Sequence, residues 1–103
     1  MASIIRGTTP LVKFTFSKVQ PSEISTAFLV VKQDDRTVFE KALSDAIVGT
    51  NTIAWRLQQA DTLKLVPKKN ATLTCDWRTA ANIRSKSHTL AALVENGGKD
   101  EII

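Results

Sequence analysis

The stretch that decides the fold is ATLTCDWRT, residues 71–79. Ala71, Leu73, Cys75 and Trp77 fall on one side of an extended chain; Thr72, Thr74, Asp76 and Arg78 fall on the other. Successive side chains of an extended backbone point to opposite faces, so this period of two marks a strand with one face in a core and one in water.

The same period recurs on both sides of it. In LVKFTFS, residues 11–17, Val12, Phe14 and Phe16 alternate with Lys13 and Thr15. In NTIAWRL, residues 51–57, Ile53, Trp55 and Leu57 alternate with Thr52, Ala54 and Arg56. STAFLVVKQ, residues 25–33, is apolar on both faces and predicts a central strand. DDR, residues 34–36, is turn chemistry, because aspartate tolerates tight backbone angles and bonds its own main chain. TVFEKAL then returns as the second arm of an antiparallel hairpin. SDAIVGTN, residues 44–51, reads as a loop or broken edge strand, with Gly49 and Asn51 at its tight positions.

QQADTLKL, residues 58–65, changes period. Leu57, Ala60 and Leu63 are spaced by three, which predicts a short helical turn over 58–64, stopped by Pro67. AANI, residues 80–83, is a turn of weak chemistry. RSKSHTLAALV, residues 84–94, is the last strand, polar on both faces at first, as at a sheet edge, and apolar later. ENGGKDEII closes the sequence.

Six to seven short strands, one helical turn and no long helix predict an all-β fold, a single antiparallel β-sandwich of Ig-like or related type, with a small barrel as the main competitor. The domain is expected over 1–95, with residues 1–9 as an N-terminal arm or edge strand and 96–103 as a flexible tail. At 103 residues and 43% apolar content the chain can bury a core of its own. A single cysteine excludes an internal disulfide. No apolar run approaches the roughly 18 residues of a membrane span. Arg6 follows Ile5 at once, so no secretory leader is expected. The net charge is +4, but the basic residues are scattered and only Lys68 and Lys69 touch, the pattern of a solvated face rather than a nucleic-acid patch.

A search for chemistry returns little. His88 is the only histidine, and its setting, SKSHTL, is that of an exposed edge rather than a triad. Cys75 lies on the apolar side of its strand, where a thiol behaves as a small hydrophobe. One histidine and one cysteine cannot make a structural zinc site, and Asp34 with Asp35 is too short for a calcium loop. Neither GxGxxG nor GxxxxGK[ST] occurs, and the Asn70 triplet NAT carries no further support. Both tryptophans fall on inward faces. The expectation is a non-enzymatic chain without cofactor or metal.

The segments IIRGTTPLVKFTFS, AFLVVKQ, TIAWRLQQADTLKL and DEII together resemble a family of small tail-associated structural proteins of bacteriophages and prophages. They are similar to the N-terminal β-sandwich domain of baseplate upper proteins, which hold receptor-binding proteins on the tail. Leu57, Gln59, Thr62 and Leu63 match a Leu-x-Gln-x-x-Thr-Leu pattern in that resemblance. TAANIRSKSH departs from it, where an Asp–Gly turn is expected. The resemblance implies a virion part or adaptor, assembled in the host cytoplasm, with other virion proteins or its own copies as partners. It implies no small-molecule substrate, nucleic acid or membrane, and no catalytic residues.

The chain ends fit such a role. Ile4, Ile5 and Arg6 at one end and Ile102 and Ile103 at the other are the candidate interaction residues. An extended arm can add a strand to an exposed sheet edge on a neighbour, with Gly97 and Gly98 as its hinge. Docking of each end on its own domain is the competing reading. Two other functions compete: a head-bound decoration or head-fibre anchor, and a carbohydrate-binding module.

Overall fold

The computed structural model describes residues 2–86, 89–98 and 102. It is all-β. Its strands are β1 (Ala2–Ile5), β2 (Leu11–Thr15), β3 (Ile24–Gln33), β4 (Arg36–Ala42), β5 (Ile47–Val48), β6 (Thr52–Arg56), β7 (Asn70–Thr79), β8 (Arg84–Lys86) and β9 (Leu90–Glu95). One α-helical turn, α1 (Gln59–Thr62), follows β6 as expected, and two 3-10 turns that were not expected lie at Pro21–Glu23 and Leu43–Asp45. Nine strands thus stand among the described residues where six to seven were expected; the additional ones are short pieces at sheet edges.

The larger sheet has the order β1-β9-β7-β3-β4, with β8 also on β7; the smaller has the order β2-β6-β5. All pairs are antiparallel except β1 with β9, which is parallel. β8 and β9 lie along the same edge of β7. Arg84 stands opposite Arg78 and Leu93 opposite Asn70, so the register slips by one residue between the two pieces. The single last strand expected over 84–94 is therefore two strands, β8 and β9, and residues 87 and 88, His88 among them, lie outside the described residues.

Both sheets contribute to one apolar cluster. β2 and β6 supply Val12, Phe14, Ile53 and Trp55; β3 and β7 supply Ala27, Leu29, Val31, Ala71, Leu73 and Cys75. Phe14 meets Trp55 edge to face, with ring centroids 6.1 Å apart, the arrangement that the ring quadrupoles favour. The Trp55 indole Nε1–H donates to the Ala42 carbonyl at 2.9 Å, which ties β6 to the end of β4 and satisfies a buried donor. In β3 a register irregularity between Ile24 and Thr26 lets Ile24 and Ala27, three apart, both be buried.

Local chemistry sets the connections. Asp34 and Asp35 both take left-handed backbone angles, φ 53° and 61°, the requirement of a tight two-residue hairpin whose twist matches its strands. Gln33 at the hairpin base is buried; its amide donates to the Val66 carbonyl and accepts from the Val66 N–H. α1 begins with reciprocal bonds between Gln58 and Asp61, a capping box that satisfies two otherwise orphaned donors. Asp61 is buried, and its carboxylate also meets the Lys41 ammonium at 2.7 Å.

Candidate interaction surface

The N-terminal segment docks on its own domain. Ile4 is only 5% exposed and joins the core cluster, whereas Ile5 is 43% exposed. That alternation follows from β1 lying beside β9, with Ile4 opposite Val94 and Ile5 opposite Glu95. Arg6 is half-buried. Its backbone N–H donates to the Glu95 carbonyl, and its guanidinium reaches the Leu63 carbonyl at 3.1 Å and the Asn96 side chain at 3.3 Å. Gly7, at φ 81°, donates to the Thr62 hydroxyl, which in turn donates to the Thr8 carbonyl. IRGTTP is thus the joint that fastens the first strand, α1 and the exit of the last strand to one another.

At the other end, Ile102 is 63% exposed, and Ile103 lies outside the described residues. Of the two expected hinge glycines, Gly97 is held close: a Cβ there would come within 2.6 Å of the Arg6 carbonyl oxygen. Gly98 has nothing within 4 Å of the corresponding position.

The edges of both sheets are open among the described residues: β1, β4 and β8 in the larger, β2 and β5 in the smaller. β4 carries Arg36, Glu40 and Lys41 and a register irregularity at its pairing with β3, devices that discourage indiscriminate pairing. β5 has no such protection; Ile47 is 60% exposed and Val48 is exposed beside it. Leu11 on β2 is exposed as well.

Sequence reasoning missed a further surface. β3 is central, paired to β4 and β7, yet its second apolar face is not covered. Phe28 is 41% exposed and Val30 is half-buried. Together with Thr26, Glu40, Asp76, Trp77, Arg78 and Arg84 they line a shallow concavity of about 420 Å³. Apolarity on both faces of STAFLVVKQ predicts a central strand, as β3 is, but does not say whether the outer face is covered. Trp77 packs edge to face on Phe16, ring centroids 6.0 Å apart, and is only half-buried. It also lines a second open depression with Phe16, Lys18, Lys86 and Thr89.

Cys75 is buried, and its thiol is pushed up to about 12, first by loss of water and then by the neighbouring Asp76 charge. A thiol so protonated is a poor nucleophile at neutral pH. Among the described residues no group of three or more His, Cys, Asp or Glu side chains could hold a metal, and no helix is long and apolar enough to cross a membrane. No family model, no curated protein and no solved structure matches this chain.

Proposed function

We propose that the chain is a non-enzymatic bacteriophage virion component, a tail or baseplate part or adaptor that assembles through strand edges and terminal arms. The domain is read as an Ig-like or related sandwich, and its partners as other virion proteins or further copies of itself. The observation that carries this reading is that, among the described residues, five of the ten exposed large apolar side chains fall at edges or near the ends. Leu11, Ile47 and Val48 sit on edge strands and Ile5 and Ile102 near the ends, the others being Phe28, Leu90 and Leu93 on interior strands and Val66 and Ile83 in connections. Unpaired edges with exposed apolar residues are templates for strand addition. The resemblance of IIRGTTPLVKFTFS and TIAWRLQQADTLKL to tail-associated proteins supplies the setting.

The test is the protein inventory of purified particles made by the genome that encodes this chain. Mass spectrometry is expected to find it there, and antibody labelling to place it on the tail. Labelling on the capsid would favour the decoration or head-fibre anchor, and absence from particles would refute both.

Trp77 favours one reading of another class. A half-buried indole bordering two depressions is the kind of platform that stacks on a sugar ring. A carbohydrate-binding module predicts a shift of tryptophan emission on titration with oligosaccharides, lost in Trp77→Ala. Emission that stays constant across a glycan panel removes it.

A further inference from the structure

Arg78 and Arg84 stand directly opposite each other across the β7–β8 pair. Like charges in that position repel. Among the described residues neither meets a carboxylate; Arg78 reaches only the Thr26 hydroxyl, at 3.4 Å. Two guanidinium groups on one face are suited to carboxylates, which they can grip with paired hydrogen bonds. Beside them lie the exposed ring of Phe28 and, on the same concavity, the acids Asp76 and Glu40. The face therefore carries Arg78 and Arg84 at one end and Lys86 opposite Asp76 at the other, a surplus of positive charge over an apolar floor.

The closing segment carries the matching pattern: Lys99, then Asp100 and Glu101, then Ile102 and Ile103. Asp100 and Glu101 bring two carboxylates to the Arg78 and Arg84 pair. We propose that residues 99–103 of one copy dock on the Phe28, Asp76, Arg78 and Arg84 face of a second copy. This rests on the terminal-arm reading above and names where the arm goes.

The chain's own tail cannot make this contact. β9 runs antiparallel to β7 and leaves the sheet beyond Asn70, the end opposite Arg78. The Val94 N–H and carbonyl bond residues 69 and 68 there. From Lys68 to Arg78 along β7 is about 33 Å at the usual rise of an extended strand. Gly97 lies against Arg6, and three residues of chain, Gly98 to Glu101, reach at most about 10 Å. The donor is therefore another molecule. A contact between two different patches is head-to-tail, and repeated it gives a ring or a filament rather than a closed dimer.

Sedimentation velocity on the full chain tests this, with circular dichroism confirming that each variant keeps its β spectrum. The wild type is expected to associate with rising concentration and to associate less in high salt. Arg78→Glu with Arg84→Glu, and separately Asp100→Lys with Glu101→Lys, should each raise the dissociation constant about tenfold or more. All four reversals in one chain should restore association, as should mixing the two double variants. A wild type that stays monomeric, reversals without effect, or a loss that the four-fold variant does not repair would overturn the inference. If deletion of residues 96–103 disrupts assembly while the arginine reversals do not, the arm reading stands and this docking face is wrong. If neither change matters, the arm reading falls too.

Discussion

Asp61 accepts a hydrogen bond from the Gln58 N–H at 2.9 Å and holds the Lys41 ammonium at 2.7 Å, from a buried position. One carboxylate thus starts α1 and anchors the end of β4. Asp61→Ala removes a cap and leaves a part-buried ammonium without its partner, so it should lower the unfolding free energy by about 2 kcal/mol. Urea denaturation measures this. Cys75 makes a second prediction. Burial and the Asp76 charge push its thiol up to about 12 from the ordinary 9.0. The unfolded thiol therefore loses its proton first, and its contribution to stability is full below about pH 9 and shrinks as pH rises towards 12. The urea midpoint should fall as pH rises from about 9 towards 12, and fall less in Cys75→Ala. A disulfide exchange reagent should leave the native thiol unlabelled and react on unfolding. At this scale the sequence was a good guide for Cys75 and Trp55, which alternation puts inside. For Trp77 it was a partial one, because alternation gives the face and not how far the cover over that face extends.

Asp34 and Asp35 close the β3–β4 hairpin with two consecutive left-handed residues. A side chain pays for that conformation with steric strain of about 1 kcal/mol, which glycine escapes. Asp35→Gly should therefore stabilise the protein by about 0.5–1 kcal/mol, read from the denaturation midpoint with an unchanged slope. Keeping Asp34 preserves its exposed ion pair with Lys69. The hairpin and α1 were legible because their causes are local: DDR carries its own turn chemistry, and Leu57, Ala60 and Leu63 carry a helical spacing. The parallel pairing of β1 with β9 was not legible. ASII is too short to show a period, and Arg6 bonds Asn96 at ninety residues' separation. The one-residue slip between β8 and β9 was hidden for the same reason, since register is settled by the partner strand.

For the molecule as a whole, the interior is sealed and the surface is unfinished at particular places. Leu29, Val31, Leu73 and Cys75 are buried beneath strands whose other faces or edges remain open. The candidate ends were visible in the sequence as isoleucine pairs, but their fates diverge. Ile4 is spent on the domain's own core, while Ile5 and Ile102 stay exposed. The Phe28 face could not be foreseen, because a strand that is apolar on both sides reads the same whether or not anything covers it. Coverage is a property of the assembled sheets and, on the reading proposed here, of the next copy.

The most direct measurement is the mass distribution of the full chain beside one shortened to residues 1–95, followed by sedimentation velocity across a range of concentrations. The full chain should form larger species whose share grows with concentration, and the shortened one should remain a folded monomer. Identical distributions for the two would contradict assembly through the closing arm.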